Sequence, residues 1–119
     1  MDSLSYRVKL WMVNGKGESV FGDGLAELIE SIDKYHSILE AAKHLNMSYR
    51  YALHRITLAE KRLGEPLTIR VRGGAKGGGF SEVTPYGKNL AAQYRKAQTE
   101  LGTFLENIPS NPKKNSISK

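Results

Sequence analysis

Apolar and polar positions alternate at the start of the chain. Leu4, Tyr6, Val8, Leu10 and Met12 fall on one side, and Ser5, Arg7 and Lys9 on the other. This period of two predicts a half-buried strand over 4–13. NGKGES then reads as a turn and SVF as a short return strand. From Asp23 the period changes: Leu25, Leu28, Ile29 and Ile32 recur at helical spacing, with Asp23 as a candidate N-cap. A second helix opens at Ser37, where Glu40 three residues later completes a capping-box pattern. Its apolar face of Ile38, Ala41, Ala42 and Leu45 is made of small residues, which lets another helix approach closely. Asn46 tolerates a left-handed backbone and Ser48 can cap the next helix, expected from Tyr49 to about Leu63, where Gly64 stops it. Ala52, Ile56, Ala59 and Leu63 take its core face, leaving Arg50, His54, Arg55, Lys61 and Arg62 outside.

Two short helices joined by a three-residue turn, the second one basic, make a helix-turn-helix. EPLTIRVR and GFSEVT follow as two strands around GGAKGGG, so the glycine run is a hairpin loop placed as a wing. Thr84 caps a last helix with Pro85 at its first position. Along it Gly87, Leu90, Tyr94, Ala97, Leu101, Phe104 and Ile108 form a heptad-like stripe ending near Pro109. The expected fold is mainly α with small β: a winged helix-turn-helix with an N-terminal strand or hairpin, a β-hairpin wing and a long C-terminal dimerisation helix. Residues 1–108 form the domain, 84–108 its dimerisation helix, and 109–119 a polar tail expected to be disordered.

Charge sharpens this picture. The net charge is +6, and the whole excess lies between Lys43 and Lys76. There Lys43, Arg50, Arg55, Lys61, Arg62, Arg70, Arg72 and Lys76 are offset only by Glu60 and Glu65. A clustered excess suits a polyanion. The absence of cysteine excludes disulfides and thiolate metal sites, and no run is long and apolar enough for a membrane span. With no signal peptide in view, the expected location is the cytoplasm, with association to a prokaryotic nucleoid. The glycine run is not a phosphate loop of a nucleotide enzyme, because Lys76 is followed by Gly77 and the segment returns to a strand. No nucleophile, paired-carboxylate or metal constellation points to catalysis, so no enzyme activity, cofactor or metal is expected. His36, His44 and His54 lack the pairing a metal site requires.

HSILEAAKHLNMSYRYALHRI and GEPLTIRVRGGAKGGGFSEVTPYGKNL resemble the N-terminal part of the ModE family of molybdate-responsive transcription regulators. MSYR at 47–50, GGAKGGG at 73–79 and VTPYG at 83–87 carry the likeness. A more distant resemblance links the stretch to LysR-type regulators. The ModE resemblance implies binding of double-stranded DNA, and the stripe of the last helix, with the few base pairs a single recognition helix reads, points to a homodimer. The family's C-terminal oxyanion-binding domain has no counterpart in these 119 residues, so no oxyanion effector is expected to bind this chain.

A recognition helix meets base edges with its N-terminal residues, which selects Ser48, Tyr49, Arg50, Leu53 and His54, with Arg55 beside them. The Arg50 fork can bond guanine bidentately, or reach only phosphate. Tyr49 either meets DNA or packs under the second helix. Arg70, Arg72 and Lys76 would neutralise phosphates from the wing, whose loop is expected to order on DNA. Leu90, Tyr94, Ala97, Leu101, Phe104 and Ile108 are the expected dimerisation stripe, the alternative being that the stripe folds back onto the three-helix core. The competing expectation is an architectural DNA-binding protein of low sequence specificity.

Overall fold

The computed structural model describes residues 3–71 and 79–112. The order is β1 (Trp11–Val13), β2 (Ser19–Gly22), α1 (Asp23–Tyr35), α2 (Ile38–His44), α3 (Tyr49–Leu63), β3 (Thr68–Val71), β4 (Phe80–Val83) and α4 (Pro85–Glu106). β1 pairs antiparallel with β2, and β3 with β4, as two separate two-stranded sheets. α1 is central and packs on α2, α3 and α4. Phe21, Leu28, Ile29, Ile32, Ile56, Leu67 and Tyr94 are the largest fully buried side chains. The expected winged helix-turn-helix is the observed fold.

Local chemistry sets most boundaries. The Ser37 hydroxyl accepts from Glu40 N at 3.1 Å and opens α2. α2 ends through Asn46, whose φ of 56° is left-handed, and Met47 N donates back to Ala42 O at 3.0 Å. Ser48 Oγ then accepts from Tyr51 N at 3.0 Å to open α3. Gly64, at φ 77°, closes α3. Thr84 Oγ1 accepts from Gly87 N at 3.0 Å and donates to Pro66 O at 2.8 Å, so one hydroxyl caps α4 and ties it to the base of the wing.

The first strand is shorter than its alternation predicts. Only residues 11–13 are strand, and Leu4, Tyr6 and Val8 are more than half exposed. Among the described residues no second strand pairs with 3–10; they run beside the end of α4, where Leu4 N donates to Asn111 Oδ1 at 3.2 Å. Asp23 is the first residue of α1 rather than its cap. Gly22 holds the cap position without a side-chain bond, and the Asp23 carboxylate turns to Arg95 at 2.7 Å. At the base of the wing Leu67, Ser81 and Val83 are buried, whereas Ile69 on β3 is 49% exposed.

The α4 stripe divides in two. Leu90 is half-buried against the core, and Tyr94 is 1% exposed, tilts against Phe21 and donates to Leu10 O at 2.8 Å. Tyr94 therefore has no surface to offer a second chain, and its place in the expected dimerisation stripe is corrected. The spacing of three and four is the same whether a helix faces its own core or a partner. Beyond it, Ala97 is exposed, Leu101 and Ile108 are half-exposed, and Phe104 is 65% exposed.

Candidate nucleic-acid interface

Burial of Ala52, Ile56 and Ala59 fixes the rotation of α3, and the opposite face points to solvent. Arg50, His54, Thr57 and Lys61 recur on that face at spacings of three and four, and all are exposed. Ser48 and Tyr49 are exposed at the helix start, Tyr49 at 38%. The Ser48 hydroxyl is engaged in the cap, which anchors the helix end. Leu53 is only half-exposed and packs against the core, so it supports this face more than it forms it.

Arg55 does not join the group. It is half-buried, donates to Tyr51 Oη at 3.0 Å, and its guanidinium lies along Gly24 at the start of α1. Arg70 is exposed on β3, opposite Ser81. Arg72, Lys76 and the GGAKGGG loop up to residue 78 lie outside the described residues, as does the tail from residue 113.

The arginines divide by commitment. Arg95 is heavily committed: it bonds Glu30 through Nε and Nη2 at 2.9 Å each, and Asp23 and Gln98 through Nη1 at 2.7 Å each. That fork holds α4 on α1, and these carboxylates raise the Arg95 pKa further above its ordinary value. The Asp23 carboxyl is held below the usual carboxylate range, first by the bond from Arg95 and then by Gln98. Arg50, His54 and Arg70, by contrast, make no side-chain hydrogen bond or ion pair among the described residues. A planar guanidinium held out on a capped helix end, with its five donors unused, can bond an external acceptor without first breaking an internal bond.

The base of the wing is fixed to the same helix. Glu60 Oε2 accepts from Leu67 N at 2.8 Å and from Thr68 N at 3.3 Å, while Ser81 N donates to His36 O at 2.9 Å. The three histidines go separate ways. His44 stacks on Tyr35 at 4.1 Å, His36 lies 6.0 Å from the Phe80 ring, and His54 stands on the face of α3. Among the described residues no cluster of His, Asp or Glu could hold a metal ion, and no helix is long and apolar enough to cross a membrane. Thr57 and Lys61, on the same face, were not singled out from sequence as contacts. The helical spacing from Arg50 was the signal for them.

No family model matches the chain. Molybdenum transport protein ModE of Azotobacter vinelandii is 34% identical over 90 residues, 76% of this chain and 33% of that protein. This chain is a relative of ModE. It spans about a third of the length of that ModE protein. Among solved structures, DarR of Vibrio fischeri in complex with DNA superposes with a TM-score of 0.52 at 24% identity, covering 71% of this chain and 27% of DarR. The CbnR DNA-binding domain in complex with DNA gives 0.53 at 20% identity, covering 68% of this chain and 86% of that one. The likeness to these structures is one of fold. It places the ModE-like segment in the winged helix-turn-helix class that the caps and spacings had predicted.

Proposed function

We propose that this ModE-like chain is a sequence-specific, DNA-binding transcriptional regulator that acts in the cytoplasm as a homodimer. The observation that carries the proposal is the solvent face of α3, where Arg50 and His54 stand uncommitted at the N-terminal end of a helix whose start is locked by the Ser48 cap. That is the end of a recognition helix that meets base edges. Arg50 reads a guanine, Tyr49 and His54 add contacts beside it, and Arg70, Arg72 and Lys76 hold phosphates from the wing. The DNA complexes of DarR and CbnR, which share the fold, support the choice of duplex DNA as the partner.

The second chain docks on the outer half of α4. Leu101, Leu105 and Ile108 line one open depression there with Leu4, Tyr6 and Val8, and Phe104 is exposed on the same half of the helix, so the monomer leaves apolar surface uncovered. Two-fold pairing on this surface sets two recognition helices about one helical turn of DNA, or a multiple, apart. An oxyanion response is no part of the proposal.

Selection of bound fragments from a random DNA pool at about 150 mM salt, with the wild-type chain and with Arg50→Ala, tests this reading. An inverted repeat that loses discrimination at one guanine in Arg50→Ala is the expected result. Fragments without shared sequence, bound in a strongly salt-dependent way, would overturn it in favour of an architectural protein.

A further inference from the structure

The recognition face and the β3–β4 wing leave one feature unused, the β1–β2 hairpin. It is bound to the C-terminal half of α3 as firmly as the wing is, on another flank of the helix. Asn14 organises its turn: Oδ1 accepts from Lys16 N and Glu18 N at 2.9 Å each, and Nδ2 donates to Glu18 Oε1 at 2.8 Å. The same amide nitrogen donates to Arg62 O at 3.2 Å, and Arg62 Nη1 donates to Ser19 O at 2.8 Å. Gly17, at φ 80°, supplies the left-handed residue that the turn requires. The hairpin is a rigid extension of α3.

Its tip is basic. Lys16, Lys61 and Arg62 line one open depression between the turn and the helix, with Glu18 as its carboxylate. The Glu18 carboxyl lies below its ordinary range, chiefly through the Asn14 bond, then through Arg62, Lys16 and Lys61. One carboxylate against three cations leaves the depression positive. Lys61 also belongs to the solvent face that begins at Arg50. Eleven residues of helix separate the two, a rise of about 16 Å. With Arg50 at the floor of a major groove about 8.5 Å deep and 12 Å wide, that rise brings Lys61 out to the flanking backbone.

We propose that the β1–β2 turn is a second wing, in which Lys16, beside Lys61 and Arg62, grips the sugar-phosphate backbone of duplex DNA across α3 from the β3–β4 hairpin. This rests on the DNA-binding reading above and adds a contact surface to it. Lys16 makes no side-chain hydrogen bond or ion pair among the described residues, and the turn is held by Asn14, so a change at Lys16 alters charge without loosening the hairpin.

The test uses the full chain, a mixed-sequence duplex of about 40 base pairs, and a salt series from about 50 to 250 mM. Lys16→Ala and Lys16→Glu are compared with wild type and with Arg50→Ala. Loss of one phosphate contact lowers the slope of log affinity against log salt by about 0.9. The expected result is that reduction in Lys16→Ala, with binding weakened roughly 3- to 10-fold at about 100 mM salt, more in Lys16→Glu, and thermal unfolding unchanged. Unchanged affinity and slope in both Lys16 variants, with Arg50→Ala still impaired, would overturn the second wing and leave the DNA-binding reading standing. Failure of the wild-type chain to bind any duplex would overturn both.

Discussion

Gly87→Ala probes the joint between the wing and α4. A Cβ built at Gly87 would lie 2.6 Å from Leu67 O, 2.9 Å from Val83 Cγ1 and 3.3 Å from Thr84 Oγ1. The nearest of these is a backbone atom, and Leu67 O already accepts from Thr84 N at 2.9 Å. Relief requires that the first turn of α4 and the base of the wing move apart by several tenths of an ångström, straining that bond. Overpacking of this kind costs about 1–3 kcal/mol. The weakened hydrogen bond adds about 1 kcal/mol, and alanine's better helix propensity returns up to about 1 kcal/mol. The net expectation is a loss of about 2 kcal/mol, or a Tm lowered by roughly 8 °C for a domain of this size. Gly24→Ala is the control, because its Cβ meets only Arg55 guanidinium atoms at 3.6 and 3.7 Å, ordinary contact. It should leave Tm unchanged or raise it slightly. Thermal unfolding by circular dichroism at one fixed protein concentration reads both, since the proposed dimerisation would make Tm concentration-dependent. A Gly87→Ala chain as stable as wild type would refute the close approach of α4 to the wing, and with it the need for glycine in the TPYG segment.

Two further outcomes are expected. Phe104→Asp removes an apolar ring that is 65% exposed and outside the core, so the chain should stay folded while dimer dissociation shifts by at least about tenfold in sedimentation equilibrium; a wild-type chain that sediments as a monomer would refute the proposed pairing. Asp23, ionised more readily when folded, stabilises the chain fully above its ordinary pKa of 3.8, and that stabilisation is lost as pH falls through the lower folded value. Urea midpoints below about pH 4 should therefore fall less steeply in Asp23→Asn than in wild type, and parallel curves would remove Asp23 from the account.

What the sequence made legible was local. Ser37, Ser48, Thr84 and Gly64 act within three or four residues of their own position, and each does so as expected. The turn at Asn46 needs only a tolerated left-handed backbone. What stayed hidden is settled across the chain. Asp23 reads as a cap until Arg95, seventy-two residues away, takes its carboxylate. Tyr94 fits a partner-facing position and a core-facing one equally until its hydroxyl finds Leu10 O, eighty-four residues away. Arg55 and Arg50 are both polar positions of one helix, but only the packing of α1 shows that Arg55 is turned aside. The alternation of residues 4–12 was real as a pattern, yet a strand needs an edge to pair with, and β2 reaches only as far as residue 11.

The division of charges bears on the choice between a specific reader and a protein that coats DNA. A coat needs positive charge near phosphates and tolerates loose side chains, because the attraction is long-ranged and forgiving. This chain instead spends Arg95, Glu60 and Arg62 on fixing α4, β3 and β2 to the helices around them. The result is a helix held on more than one side, with Arg50 and His54 projecting from its capped end. Ordering before contact lowers the entropy cost of a contact that must be geometrically exact to count, such as a bidentate arginine–guanine pair. Rigid support for a few free side chains is of little use to a coat and is what discrimination between bases requires.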